Sequence, residues 1–394
     1  MGGVGAGRGS DDKTGSMQAL AEVVFWVCAG SVVYLYAGFP VVMAMLARWF
    51  ARPVKKAAIE PSVSILTAAY NEEGVIADKI RNSLELDYPA EKLEIVVAAD
   101  GCRDGTVAAA RKAVEAEGAG ERVRILEWKQ NRGKLAVLND AVPQLRGEIV
   151  VFSDAASMLA PDAVRKLVEN FGDPEVGAAG GLYRVRKPEE SAIGVQEDFY
   201  WKYESFLKDR ESRVWSMLGA HGSLYAIRRA LYPQLEEGSI NDDYVIAIRI
   251  AQRGYRAVYE TGALSWEWAR EMDGFQRRIR IMRGNFQQLS ELKGFLWPPR
   301  WLMLFFLLSH KAGRVIVPFG QVGAVVANLF LLGNPLYRWL GAGQLLFYGL
   351  AAAHAVMPLP GKLLRLPYYF TMINMAAFAG IWQELRTGRV AWKR

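Results

Sequence analysis

Residues 148–157 read EIVVFSDAAS, a run of β-branched and aromatic side chains that predicts a buried strand ending just before Asp154. Other carboxylates also stand just after predicted strands or at a predicted helix start: Glu72, Asp100, Asp242 and Asp243. Because the carboxyl ends of parallel strands meet at one edge of a sheet, we expect these acidic side chains to lie close together. An edge of this kind is typical of a site for a nucleotide and a metal ion.

The surrounding segment, 61–270, alternates strand-like and helix-like patterns. Short apolar runs rich in β-branched residues occupy 63–69, 93–99, 123–128 and 149–153. Amphipathic stretches separate them, near 74–86, 104–117, 133–145 and 161–171. This alternation predicts an α/β fold with a mostly parallel, doubly wound, Rossmann-like sheet and helices on both faces.

Both ends of the chain are apolar, although 23% of the 394 residues are charged and the net charge is +7. Residues 19–47 are long enough to span a bilayer, and the basic residues after them place the middle of the chain in the cytoplasm. Their length and this basic flank argue against a cleaved signal peptide. Residues 314–333, 338–357 and 366–383 are also long enough to span, whereas 295–309 suits the headgroup region.

These patterns divide the chain into six predicted segments. They are a disordered N-terminus over 1–16, an N-terminal transmembrane helix over 17–50, a cytosolic catalytic domain over 51–291, an interfacial amphipathic helix over 292–311, three C-terminal transmembrane helices over 312–386 and a basic tail over 387–394. The chain is therefore predicted to be a multi-pass protein of the inner (plasma) membrane. Four spans would leave the basic tail outside, against the preference of basic residues for the cytoplasm, so the side of the tail stays open.

The charge pattern and the motifs that are absent exclude several classes of function. Basic residues cluster beside the apolar spans and in 277–283, which favours anionic lipid and phosphate ligands over nucleic acid. Cys28 and Cys102 are not expected to pair, and the three histidines are too scattered for a zinc site. The sequence also lacks a P-loop, a dinucleotide-binding glycine pattern and a nucleophilic serine elbow.

Seven motifs follow one another along the chain. They are SVSILTAAYNEE at 62–73, ADGCRDGT at 99–106, NRGKLAVLN at 131–139, DAAS at 154–157, GAHGSLYAIRR at 219–229, INDDY at 240–244 with QRGY at 252–255, and FQRRIRIMRG at 275–284. In this order they resemble the GT-A catalytic domain of family-2 glycosyltransferases. With the apolar segments, the resemblance extends to the processive members of that family: the cellulose, chitin, hyaluronan and poly-N-acetylglucosamine synthases.

The resemblance implies a nucleotide site at the first three motifs. In the family, the backbone at Ala68 and the carboxylate of Glu72 contact the nucleoside, and Asp100 accepts a hydrogen bond from the imide N–H of the base. Lys134, at a predicted helix start, would lie near the phosphates. Without the resemblance, the same motifs also suit capped helices and a solvated lysine.

The fourth motif implies a metal ligand. The family's Asp-x-Asp pattern holds Mg²⁺ or Mn²⁺ against the diphosphate, and a hard divalent cation of this kind takes oxygen ligands. Asp154 matches the first acid, whereas Ala156 stands in place of the second. We therefore expect Mg²⁺ or Mn²⁺ as the cofactor, bound with reduced affinity.

The next two motifs imply the acceptor side and the catalytic base. The small-residue loop at His221, Gly222 and Ser223 matches the family's acceptor loop, where a sugar approaches the backbone closely. Asp243, with Asp242 beside it, aligns with the general base that takes the proton of the acceptor hydroxyl. An aspartate pair at a helix start also suits a capping role.

The arginine-rich last motif matches the processive pattern only in part. The resemblance implies that Arg277, Arg278 and Arg280 clamp the diphosphate by charge-assisted hydrogen bonds. Ile281 takes the place of the tryptophan that stacks on the acceptor sugar in the family. A basic amphipathic helix on anionic lipid is the alternative interpretation.

Together these observations predict a membrane-bound inverting glycosyltransferase that moves a sugar, with UDP as the expected carrier, onto a growing polysaccharide that it could also export. The alternatives are a single-addition glycosyltransferase that makes a glycolipid and a non-catalytic relative that binds a nucleotide-sugar. The expected partners are the nucleotide-sugar donor, a polysaccharide or lipid acceptor and membrane lipid, with no nucleic acid. Further protein subunits are left open.

Overall fold

A computed structural model describes residues 8–186, 193–236, 238–268, 274–357 and 359–387. These residues form two compact units. The first, here called the helical unit, comprises residues 8–42, 274–286, 307–357 and 359–386. The second, here called the sheet unit, comprises residues 43–186, 193–236, 238–268 and 287–306.

The described residues of the sheet unit contain one sheet of eight strands. The strands are β1 (Val63–Ala69), β2 (Leu93–Asp100), β3 (Val123–Trp128), β4 (Ile149–Phe152), β5 (Met158–Leu159), β6 (Val176–Arg186), β7 (Tyr225–Arg228) and β8 (Arg256–Trp268). Their order across the sheet is β3-β2-β1-β4-β7-β6-β8-β5. The pairs among β1 to β4 and the pair β6–β8 are parallel, whereas β7 and β5 are antiparallel to their neighbours. The predicted α/β fold with a mostly parallel sheet is confirmed.

The described helices follow in chain order. They are α1 (Arg8–Val33), α2 (Phe39–Trp49), α3 (Ile76–Leu84), α4 (Thr106–Ala116), α5 (Lys134–Ala141), α6 (Ala163–Glu169), α7 (Ile193–Val214), α8 (Asp242–Gln252), α9 (Gly274–Gln287), α10 (Trp301–Phe306), α11 (Gly313–Leu329), α12 (Pro335–Val356) and α13 (Lys362–Thr387). Single 3₁₀ turns occur at Ala90–Lys92, Val142–Gln144, Asn170–Gly172 and Arg229–Leu231, with a longer 3₁₀ segment at Gln288–Phe295. Helices α3 to α6 lie within the four predicted amphipathic stretches.

The strands that carry the first motifs are buried on both faces. In β1, β2 and β4 nearly every residue is shielded from solvent, which explains their almost continuous apolar sequences. All seven residues of β1 pair with β2, and its first four pair with β4. The carboxyl ends of these strands therefore meet at one edge of the sheet, where the turns 70–73, 100–106 and 153–157 follow.

Among the residues that the structure describes, two helical stretches are long and apolar enough to cross a membrane: Gly15–Trp49, with 35 residues, and Trp301–Leu329, with 29 residues. Each contains one π-helical turn, at Tyr34–Gly38 and Leu307–Ala312. The second stretch runs without a break across 311/312, the predicted boundary between the interfacial helix and the C-terminal transmembrane helices. Helix α1 begins at Arg8, inside the segment predicted to be disordered, whereas residues 1–7 and 388–394 lie outside the described residues. The membrane topology stays a prediction.

Buried apolar side chains and one close helix contact hold part of the helical unit together. A cluster of buried residues joins α1 to α11 and to the start of α12: Ala21, Phe25, Ala324, Ala327, Leu331 and Tyr337. A β-carbon at Gly323 would lie 2.7 Å from the Sγ atom of Cys28, so α1 and α11 approach each other at a glycine. Helices α12 and α13 add two further long elements, of 22 and 26 residues.

Candidate active site

Lys134, the first residue of α5, links two of the predicted acidic residues. Its Nζ atom lies 3.0 Å from Oδ1 of Asp154, after β4, and 3.1 Å from Oδ2 of Asp242, at the start of α8. Burial disfavours the ammonium form, but the neighbouring carboxylates outweigh it and raise the pKa of Lys134 above its usual value. Three distant parts of the sequence thus meet at one edge of the sheet.

Asp154 lies against the glycine of the predicted acceptor loop. A β-carbon at Gly222 would be 3.0 Å from Oδ2 of Asp154, so a larger residue here would press on this carboxylate. Burial alone would raise the pKa of Asp154, but Lys134, with further contributions from His221 and Lys79, holds that pKa below its usual range. Asp154 is therefore ionised at neutral pH, and 42% of its side chain is exposed.

Asp242 and Asp243 form the first turn of α8 and differ in their surroundings. Asn241, in left-handed backbone geometry with φ 61°, turns the chain into the helix. Asp242 is held in the ion pair with Lys134 and is 13% exposed. Burial, together with the charge of Asp242, raises the pKa of Asp243 to about 6, although Lys134 opposes this shift. Of the two aspartates, Asp243 is thus the one whose pKa suits a proton acceptor near neutral pH.

Asp100 ends β2 and holds the loop that leads into α5. Its carboxylate accepts hydrogen bonds from Nδ2 of Asn131 at 3.0 Å and from the backbone N–H groups of Arg132 at 2.9 Å and Gly133 at 2.7 Å. Gly101, with φ 60°, packs so closely on this loop that a β-carbon would lie 2.2 Å from the nitrogen of Asn131. The observed contacts of Asp100 fix this loop, and its bond to a nucleotide base stays a prediction.

The turn after β1 contains Glu72, and Ala68 lies near the end of that strand, where it is partly exposed. The backbone N–H of Glu72 donates to Oγ1 of Thr106 at 2.8 Å, and the N–H of Arg103 donates to Oδ1 of Asn71 at 2.8 Å. These bonds tie the turns after β1 and β2 to each other at the edge of the sheet. The nucleotide contacts of Glu72 and Ala68 stay predictions.

The acceptor loop is organised around His221. Its Nδ1 atom accepts a hydrogen bond from the backbone N–H of Ser223 at 3.2 Å and lies 2.8 Å from the hydroxyl of the same residue. The ring stacks on Tyr183 with centroids 4.2 Å apart and meets Trp201 edge-on at 4.5 Å. Sequence reasoning missed both aromatic residues, because they come from β6 and α7, outside every motif.

The arginine-rich motif lies on α9, and its residues up to 286 belong to the helical unit. Within this unit, Arg278 is buried and donates to the hydroxyl of Tyr369 at 2.9 Å, while Arg283 forms an ion pair with Glu384. Arg280 is exposed, and Ile281, in place of the family's tryptophan, is partly buried. The side chain of Arg277 lies outside the described residues. The diphosphate role of Arg277, Arg278 and Arg280 stays a prediction.

Asp154 is the residue best suited to contact a divalent cation. Among the residues that the structure describes, no group of three or more His, Cys, Asp or Glu side chains is arranged to hold a metal ion. Asp154 supplies one half-exposed carboxylate, and Ala156 supplies none. A Mg²⁺ or Mn²⁺ ion fits such a site if phosphate oxygens and water complete its shell.

Lys79 is a charged residue that acts on Asp154 and that the motifs did not single out. It lies on α3 between Ile76 and Ile80, and all three side chains are buried. A charged residue on the apolar face of an amphipathic helix was the signal available in the sequence.

Comparison with known proteins places the chain in a family. The family model described as "Glycosyltransferase like family 2" matches residues 61–284. Poly-beta-1,6-N-acetyl-D-glucosamine synthase of Staphylococcus aureus (strain MSSA476) is 27% identical over 233 residues, which are 58% of this chain and 55% of that protein. The Staphylococcus epidermidis synthase is 24% identical over 269 residues, 67% of this chain and 61% of its own length. The chain thus spans a little over half the length of these curated relatives.

A solved structure resembles almost the whole chain. It is a mannosyltransferase from Pyrobaculum calidifontis in complex with GDP-Man and Mn²⁺, with 25% identity and a TM-score of 0.71. The match covers 94% of this chain and 99% of that one. Because the family model covers more than half of the residues and the site edge carries the family's motifs, the chain belongs to glycosyltransferase-like family 2, and it is similar to polysaccharide synthases.

Proposed function

We propose that the protein is a membrane-bound, inverting glycosyltransferase that moves a sugar from a UDP-sugar onto a growing polysaccharide. The observation that carries this proposal is the cluster in which Lys134 stands between Asp154 and Asp242, with Asp243 beside them. An inverting transfer needs a base for the acceptor hydroxyl and fixed charge for the departing diphosphate, close to each other.

Asp243 is the proposed general base. With a pKa raised to about 6, its carboxylate is mostly ionised at neutral pH and is still basic enough to take a proton. It accepts the proton of the acceptor hydroxyl as that oxygen bonds to the anomeric carbon. The bond from this carbon to the diphosphate oxygen breaks, the diphosphate leaves with the electron pair, and the configuration inverts. Asp242, the preceding residue of α8, pairs with Lys134 and so holds the first turn of this helix beside the phosphate side of the site.

The phosphate side of the site is proposed to consist of Lys134 and Asp154. Lys134 stands at the start of α5, where the backbone N–H groups favour an anion. Asp154 would hold Mg²⁺ or Mn²⁺, which when bound supplies positive charge to the leaving diphosphate. The presence of Mn²⁺ in the related mannosyltransferase structure supports this assignment. The proposal adds Arg277, Arg278 and Arg280 by family resemblance alone.

The nucleoside is proposed to lie along the turns that contain Ala68, Glu72 and Asp100. These turns are tied together at the carboxyl edge of β1 and β2, where parallel sheets bind nucleotides. UDP is the carrier implied by the family resemblance. GDP is the alternative, because the mannosyltransferase that matches nearly the full chain was solved with GDP-Man.

The acceptor is proposed to approach the loop at His221, Gly222 and Ser223, which lies against Asp154. A polysaccharide acceptor is supported by the relatives that make poly-beta-1,6-N-acetyl-D-glucosamine. A single-addition enzyme that makes a glycolipid is the second candidate. It is favoured by Ile281 in place of the family's stacking tryptophan. Family membership and the intact acidic cluster leave the non-catalytic alternative without support.

A membrane location is part of the proposal. It is supported by the two apolar helical stretches, Gly15–Trp49 and Trp301–Leu329, and by the exposed side chains of Trp297 and Trp301 beside the second. The inner membrane, a cytoplasmic catalytic domain and coupled export of the product are proposed on the predicted topology.

The test is a donor screen on the full chain in lipid nanodiscs, with Mn²⁺ and with Mg²⁺. UDP- and GDP-sugars are supplied with membrane lipid extract, and both the released nucleoside diphosphate and the mass of the product are measured. A ladder of masses supports a polysaccharide, and one added sugar on lipid supports the second candidate. The proposal fails if no donor releases more nucleoside diphosphate than the Asp243→Asn variant does.

A further inference from the structure

A fully buried lysine lies behind the turn that contains Asp154. Lys79, on α3, is 1% exposed. Its Nζ atom donates to the hydroxyl of Ser153 and to the backbone carbonyl of Ser157, both at 2.6 Å. These residues stand on either side of Asp154, and the N–H of Ser157 closes the turn by donating to the carbonyl of Asp154 at 3.0 Å. One ammonium group thus holds both ends of the turn 153–157.

The same contacts reach the acceptor loop. The hydroxyl of Ser153 donates to the carbonyl of Ser223 at 2.7 Å, so its proton is used there and Lys79 must be the donor in the other bond. The neighbouring Gly222 lies against the carboxylate of Asp154. Lys79 therefore supports the phosphate-side turn and, through one hydroxyl, the loop that faces it.

Lys79 is an unusual residue for its position on α3. Burial lowers the pKa of Lys79 to about 7, although the carboxylates of Asp154 and Glu267 act to raise it. Its neighbours Ile76 and Ile80 are buried and apolar. A polar group in such surroundings needs hydrogen-bond partners, and the turn 153–157 supplies them.

We propose that Lys79 is a positioning residue for sugar transfer, which fixes the turn 153–157 so that Asp154 keeps its place between the donor diphosphate and the acceptor loop. The inference rests on the proposed function. Losing the contacts of Lys79 is expected to lower kcat/KM about 10- to 100-fold, as for other residues that orient a catalytic ligand.

The test is a double-mutant cycle on the full chain in nanodiscs, with Lys79→Met, Asp154→Asn and the combined variant. Met is unbranched and similar in length to Lys, so the thermal unfolding temperature of Lys79→Met should stay close to that of the wild type. If Lys79 acts through Asp154, the combined variant should be no more than about threefold slower than Asp154→Asn alone. The same cycle is repeated with the affinities for UDP and for GDP, measured by calorimetry in the presence of Mn²⁺. This second readout does not depend on turnover. A Lys79→Gln variant, which keeps an N–H donor, should lie between Met and the wild type.

Asn82 supplies the matched control. It lies on the same face of α3 and holds the backbone of Leu159 by two hydrogen bonds, at 2.8 and 2.9 Å, without touching the turn 153–157. Asn82→Ala should lower the unfolding temperature and leave kcat/KM almost unchanged. If the wild type transfers no sugar, the proposed function fails. The role of Lys79 is refuted if the wild type transfers sugar but the losses caused by Lys79→Met and by Asp154→Asn multiply in the combined variant. This outcome must hold both for kcat/KM and for nucleotide affinity.

Discussion

Replacing Asp243 by Asn should remove turnover and at the same time stabilise the fold. Burial and the adjacent Asp242 raise the pKa of Asp243 from its ordinary 3.8 to about 6. One pKa unit corresponds to about 1.4 kcal/mol, so holding this carboxylate ionised costs up to about 3 kcal/mol at neutral pH. Because Asp243 is only partly buried, solvent screening reduces this to about 1–2 kcal/mol. The amide of Asn avoids that cost but cannot accept the proton.

The raised pKa of Asp243 also makes the stability gained by Asp243→Asn depend on pH. The raised pKa means that the folded state binds this proton more tightly than the unfolded state. Below pH 3.8 the carboxyl group is protonated in both states and costs nothing, whereas above about pH 6 the full cost is present. The gain in stability from Asp243→Asn should therefore be complete at pH 7.5 and fall to about a third of that value at pH 4.5.

Thermal unfolding in detergent at these two pH values measures the gain. At 2–4 °C for each kcal/mol in a domain of this size, we expect the unfolding temperature of Asp243→Asn to rise by about 2–8 °C at pH 7.5. Glu115→Gln, an exposed change on α4, should shift it at neither pH. Asp242→Asn, which breaks the ion pair with Lys134, should give no such gain. A lower unfolding temperature for Asp243→Asn at pH 7.5, or an equal rise at both pH values, would refute the reasoning.

Three further predictions concern the same cluster. The plot of log(kcat/KM) against pH should fall below about pH 6 with unit slope, because the base must be ionised. Lys134→Met should weaken binding of UDP or GDP at least tenfold in calorimetry, and it should move this acid limb to higher pH, because Lys134 lowers the pKa of Asp243. Gly222→Ala should lower kcat about 10- to 100-fold, because its β-carbon would crowd Asp154. The control Gly120→Ala, with open space around the new atom, should leave kcat unchanged.

The first half of the fold could be predicted from local patterns. β1 to β4 are buried on both faces, so their apolar runs stand out in the sequence, and α3 to α6 carry the amphipathic period between them. The second half gave no such pattern. β6 and β8 are parallel neighbours separated in the sequence by α7, β7 and α8, and β5 has only two residues. Pairing between distant segments depends on packing that local periodicity does not encode.

For the acidic residues, the sequence by itself determined their chemical type and their positions at the ends of strands or at the start of a helix. Asp154, Asp242 and Asp243 were predicted to act together, because parallel strands and the motif order point to one sheet edge. The motifs also assigned Lys134 to the phosphates. They did not reveal that its ammonium group stands between Asp154 and Asp242, because 108 residues of chain separate Lys134 from the second of these partners.

Only the tertiary structure decided which neighbour sets the charge of each group. It separated Asp242, held by Lys134, from Asp243, whose pKa burial raises to about 6, although the two are adjacent in the sequence. It also brought Lys79 behind Asp154. The reason is physical: residue type fixes which charges a side chain can carry, whereas desolvation and distances of a few ångströms between remote segments fix which of them it does carry.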